Sequence, residues 1–86
     1  MDIENLIKNI KVKLLKYSFI QDIKIEDKTY LHLKHSSNDE NKFHIKLTIY
    51  SISLREISKL EATKKIYKIL DEEIKKYIHS IQILFQ

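Results

Sequence analysis

The sequence predicts an α+β fold: a single domain over residues 1–86 in the order α-β-β-α-α-β, with a three-stranded mixed sheet and helices packed on one face. Three observations carry this expectation. A helical apolar stripe opens the chain, two later segments switch to period-two alternation, and a long helical stretch then leads into a last apolar strand.

The first helix starts at Asp2, a good N-cap, and its stripe is Ile3, Leu6, Ile7, Ile10, Leu14 and Tyr17. Lys8, Lys11, Lys13 and Lys16 lie mostly off that stripe. From Phe19 the period changes to two, with Ile23 and Ile25 on one face and Lys24 and Glu26 on the other, and this strand fades by Thr29. Residues 31–42, LHLKHSSNDENK, end in Ser, Asn and Asp, which tolerate turn geometry in a chain without glycine, and read as its one long loop. Phe43, Ile45, Leu47 and Ile49 alternate with His44, Lys46, Thr48 and Tyr50, a second strand expected antiparallel to the first. Ser53-Leu54-Arg55-Glu56 has the form of a capping box, so a short helix carrying Leu54, Ile57 and Leu60 is expected there. A longer helix follows, with the stripe Ile66, Leu70, Ile74, Tyr77 and Ile78. The closing segment reads as an alternating strand with Ile81, Ile83 and Phe85 on one face, and the helical crossover before it permits pairing parallel to the second strand.

Composition narrows the chemistry. With 43% hydrophobic and 33% charged residues the 86-residue chain lies within the globular range, and a domain of this size buries only about 60% of its unfolded surface. No cysteine means no disulfide, thiol nucleophile or thiolate metal ligand from this chain. No glycine means no phosphate-cradling loop of the P-loop or dinucleotide type. The acidic opening MDIEN and the lack of any apolar run near the ~20 residues of a membrane span point to a cytoplasmic protein without membrane attachment. The net charge of +4 comes from 16 basic residues against 12 acidic ones, all but one of the cations being lysine. Such a balance suits solubility and also biases the chain toward anionic partners.

The groups able to change charge near neutral pH are His32, His35, His44 and His79. His79 stands where helix gives way to strand, and the plain alternative is a helix C-cap. His32 and His35 form a His-x-x-His on the loop, which underfills a tetrahedral metal site without further ligands. Asp71-Glu72-Glu73 reads as a solvated acidic face, and Ser36 and Ser37 have no orienting partner that spacing places, so no enzyme site is expected. Tyr17, Tyr67 and Tyr77 read as core or rim, and Tyr30 and Tyr50 as exposed singles. Lys64, Lys65 and Lys68, with Lys75 and Lys76 further along, form the best patch for an anionic partner, against the plain reading of a solvated helix face.

From Ile45 to Phe85 the chain resembles the BolA family, small proteins of class II KH-like topology. The resemblance rests on KLTIYS at the end of the second strand, IYKILDEEI on the long helix, and IHSIQI, which is similar to the family's V/I-H-A-L-x-L signature. Upstream, IKIEDKTYLH is similar to the family's strand and loop and places His32 on the loop position, while His44 matches a histidine that often precedes an aromatic, here Ile45. The resemblance implies a non-enzymatic adaptor that pairs with a monothiol glutaredoxin and contributes histidines to a shared [2Fe-2S] cluster, in iron–sulfur trafficking or iron- and redox-linked regulation. The isolated chain would then be a monomer without cofactor. His79 takes the first ligand role and His32 the second, with His35 or His44 as substitutes. Some bacterial members act as transcriptional regulators, which makes a small DNA-binding stress-response regulator the alternative. The family's Arg-His-Arg is here Ala62-Thr63-Lys64, its Phe-x-Gly is Leu54-Arg55-Glu56, and its glycine-containing loop is longer and glycine-free.

Overall fold

The computed structural model describes residues 1–29 and 42–86, with α1 Ile3–Leu15, β1 Asp22–Asp27, β2 Phe43–Tyr50, α2 Ile52–Arg55, α3 Lys59–Ile69, α4 Asp71–Lys76 and β3 Ile78–Phe85. Residues 30–41, which hold Tyr30 and all of the predicted loop but Lys42, with His32, His35, Ser36 and Ser37, lie outside the described residues.

The sheet has the order β1-β2-β3, β2 running antiparallel to β1 and parallel to β3 as predicted. Register follows the apolar alternation. Ile23 faces Ile49 and Ile25 faces Leu47 across the first pair, while Ile45, Leu47 and Ile49 meet Ile81, Ile83 and Phe85 across the second. A one-residue slip would turn every one of these side chains to the opposite face, so burial of one face holds the register. Leu6, Ile10 and Leu14 of α1 and Ala62, Ile66 and Leu70 of α3, with Leu70 just past its end, are fully buried in the same core. The other face carries Lys24, Glu26, Lys46 and Gln82.

Asp2 caps α1 as expected, its carboxylate accepting from Asn5 N at 2.8 Å. Tyr17 lies past the end of α1, exposed and tilted against the Phe19 ring at 5.3 Å. At α2 the expected cap moves by two residues. Ser51, still extended at the end of β2, is the N-cap, and its hydroxyl accepts from Leu54 N at 3.2 Å and donates to Phe19 O at 2.5 Å. Ser53 instead lies inside the helix, because the strand passes into it with no intervening loop. Ser51 is 1% exposed, so Ser51→Ala removes a cap and also leaves a carbonyl short of its partner. We expect it to cost about 2 kcal/mol in chemical denaturation. A loss below half of that would mean that the two bonds are replaced by water.

Leu60, expected on the apolar stripe of the short helix, belongs to α3 and is exposed, as is Tyr67. Ser58 is the N-cap of α3, accepting from Glu61 N at 3.1 Å, and places the break between α2 and α3. The long final helix bends at Leu70 (φ −98°, ψ 20°) into α3 and α4, while the bonds from Leu70 N to Ile66 O and from Ile74 N to Leu70 O carry the ladder through the bend.

Glu73 corrects the reading of a solvated acidic run: Asp71 and Glu72 are exposed, but Glu73 is 3% exposed. Its carboxylate takes Lys13 Nζ at 2.8 and 2.7 Å through its two oxygens. The pair ties α1 to α4, and Lys13 reaches it along the helix flank that composition alone would assign to water.

Candidate functional site at the start of the third strand

The period-two pattern breaks at the start of β3. Phe43 pairs with Ile78 but His44 pairs with Ser80, so His79 is the extra residue of a β-bulge. The bulge keeps Ile78 and Ile81 both in the core while two consecutive polar side chains, His79 and Ser80, are exposed. A regular strand would have sent one of them inward.

The bulge corrects the expectation for His79. Tyr77 is the C-cap of α4 and His79 is the second residue of β3, so the helix-cap alternative does not hold, and Ile78 is a strand residue rather than the end of the helical stripe. Extra chain length at this point lays the His79 ring against that of His44, with centroids 4.9 Å apart and planes tilted by 53°. The hydroxyl of Ser80 lies 2.6 Å from His44 Nδ1, which orients that ring.

His44 is also held through its backbone. Its carbonyl accepts from Lys28 N at 2.7 Å, and its N–H donates to Thr29 Oγ1 at 3.1 Å. Asp27 fixes Thr29 in turn, accepting from both its N–H and its hydroxyl. Thr29 and Ser80 are thus positioning residues that sequence reasoning did not single out. The consecutive polar residues of Ile78-His79-Ser80-Ile81 were the available signal for the second, whereas nothing local marks the first.

Lys28, Lys46 and Gln82 line a depression with His44 and Ser80, giving the His44 ring a cationic border, with Lys28 itself 3.5 Å from Glu26. Among the described residues no cluster of three or more His, Cys, Asp or Glu is placed to hold a metal ion. The two adjacent imidazoles are too few to fill a metal's coordination shell by themselves.

The lysine patch is divided. Lys64, Lys65 and Lys68 are exposed on α3, but Lys75 and Lys76 on α4 face Asp71 at 3.1 Å and Glu72 at 3.2 Å, one turn back. The Glu72 hydrogen bond and charge raise the Lys76 ammonium above its ordinary pKa. Cationic potential along α4 is therefore largely compensated. No helix among the described residues is long and apolar enough to cross a membrane.

Together these features define a class: a small α+β domain with a three-stranded mixed sheet, helices on one face, and a histidine at the start of the last strand. The sequence profile of the BolA-like protein family matches residues 15–86, and the chain belongs to that family. In structure it is similar to the BolA domain of SufE1 from Arabidopsis thaliana, with a TM-score of 0.77 and 26% identity over 100% of this chain and 93% of that one. It is also similar to BolA1 from Arabidopsis thaliana, with a TM-score of 0.76 and 26% identity over 96% of this chain and 92% of that one. No curated protein matches the sequence.

Proposed function

We propose that this BolA-type protein is a non-enzymatic cytoplasmic adaptor that pairs, as a monomer, with a monothiol glutaredoxin and supplies imidazole ligands to a shared [2Fe-2S] cluster, in iron–sulfur trafficking or iron- and redox-linked regulation. The observation that supports it most is the bulge that exposes His79 and sets its ring beside that of His44, a ring held in turn by Ser80. Two neighbouring imidazoles suit one iron of such a cluster, whose potential rises when histidine replaces thiolate. A cysteine-free chain needs a thiolate-bearing partner to complete the set. Lys28 and Lys46 at the border suit the negative charge of a thiolate-ligated cluster. Their adjacency favours His44 beside His79, while the family resemblance assigns the second role to His32 on the loop.

The test is visible absorption and circular dichroism of a [2Fe-2S]-loaded monothiol glutaredoxin titrated with this protein. A saturable spectral change is expected, abolished in His79→Ala and weakened in whichever of His44→Ala and His32→Ala removes the second ligand. An identical change with His79→Ala would end the assignment. The alternative, a DNA-binding regulator, is favoured by the exposure of Lys64, Lys65 and Lys68, and it requires duplex affinity to fall steeply with added salt.

A further inference from the structure

The two edges of the sheet differ in a way that the histidine site does not explain. β1, reading DIKIED, carries a charge at four of its six positions, the usual protection of an exposed edge against pairing with another chain. β3, reading IHSIQILF, has no Lys, Arg, Asp, Glu or Pro. Its hydrogen-bonding direction follows from its end: Gln86 N donates to Ile49 O and Gln86 O accepts from Ser51 N, so both groups of this residue face the β2 side. Successive residues of a parallel strand alternate in this respect, so Phe85, Ile83 and Ile81 direct N–H and C=O outward. Among the described residues no backbone hydrogen bond meets them.

Beside the C-terminal half of this edge lies a groove of about 400 Å³ between β3 and the turn from α2 to α3. Leu54, Ile57, Leu84 and Phe85 supply its apolar lining, Arg55 and Lys59 are its charged side chains, and no Asp or Glu side chain lines it. Ile57 is 38% exposed.

We propose that β3 accepts a fourth strand, an extended peptide segment of a partner protein with alternating apolar and acidic residues. Its backbone pairs with the outward groups of Ile81, Ile83 and Phe85, an apolar side chain enters between Leu54, Ile57 and Phe85, and its carboxylates face Arg55 and Lys59. Backbone pairing supplies affinity in this mode and the pocket and charges supply selection. Alternating donors and acceptors match a peptide rather than a nucleic acid, which would need stacking platforms and more cations. Phe85 lies six positions along the strand from His79, about 20 Å at the usual rise per residue, so the docking site and the imidazole pair are separate.

The test is an amide-resolved NMR titration of the full chain with the peptide acetyl-Glu-Val-Glu-Val-Glu-Val-amide. Expected are shifts confined to the second half of β3 and the α2–α3 turn, with slowed hydrogen exchange at the amides of Ile83 and Phe85. The double variant Arg55→Glu/Lys59→Glu should weaken binding about tenfold, as reversal of two rim charges implies, while His79→Ala leaves it unchanged. Peptides N-methylated at the three Val or at the three Glu positions block opposite edges, so one of the two should fail to bind while the other binds. Equal binding by both overturns strand addition, and absence of shifts at millimolar peptide overturns the site. Shifts of the same amides with oligo-dT but not with peptide, or with protein concentration alone, would assign the edge to nucleic acid or to a second copy and equally overturn the proposal.

Discussion

Ile49→Ala is expected to lower the unfolding free energy by about 3–4 kcal/mol, the range for truncating a fully buried isoleucine whose cavity cannot collapse. Ile49 is 0% exposed on the central strand, and its register partners are Ile23 on one side and Phe85 on the other. Both neighbours are held by backbone ladders, so neither can move in to fill the space. For a domain of this length the loss is a large share of a total of roughly 4–13 kcal/mol. Urea unfolding should show a midpoint lower by roughly 2–3 M at unchanged slope. Val12→Ala, at an exposed position on α1, should stay within about 0.5 kcal/mol and serves as the control. A cost for Ile49→Ala no larger than that of the control would mean that the sheet is not packed as described.

Lys13→Ala is the second large effect. It strands the Glu73 carboxylate, whose side chain is 5% exposed and whose oxygens both contact the Lys13 ammonium. Removing one partner of a fully buried pair costs about 3–5 kcal/mol. Lys13 is itself 35% exposed, so water reaches the site from its side, and we expect the lower figure of about 2–3 kcal/mol. Glu72, 4.0 Å from the same ammonium, cannot replace it, being of the wrong sign for Glu73. The double replacement Lys13→Met/Glu73→Leu should return stability to within about 1 kcal/mol of the parent, because it removes both charges rather than one. Calorimetry of the three proteins forms the measurement. If Lys13→Ala proves neutral, the carboxylate is solvated and the α1–α4 tie carries no weight.

These two sites mark the range of what was readable in advance. Ile49 belongs to an alternation of Phe43, Ile45, Leu47 and Ile49 that spans a whole strand, and period and burial agree in it. Glu73 follows Leu70 by three residues and so occupies a core position of the helical stripe, but a charge triplet looks solvated until its partner is known. That partner lies 60 residues away in sequence. The helix caps divide in the same manner. Asp2 caps α1 at the position its residue type predicts, whereas Ser51 caps α2 directly from the end of β2, which moves the helix start two residues ahead of the Ser53 box.

The candidate site was legible as residue types and not as an arrangement. His79 stands out by its signature and His44 by its place before Ile45, but the sequence offers His44 only as one substitute among others for the second ligand, and a helix cap as the plain alternative for His79. The bulge brings them together, and a bulge depends on how two strands thirty-five residues apart align around the packing of Ile78 and Ile81.

From the sequence by itself followed the element order, the mixed sheet with its parallel third strand, the face that each strand buries and the family resemblance. All of these rest on periodicity and local motif, which act over a few residues. Only the tertiary structure decided the buried Lys13–Glu73 pair, the contact of the His79 ring with the His44 ring that Ser80 holds, and the contrast between a charged β1 edge and an uncharged β3 edge that no strand among the described residues pairs with. Each of those depends on which groups packing brings within a few ångströms of one another, and electrostatic and hydrogen-bond energies are set by that distance rather than by position along the chain.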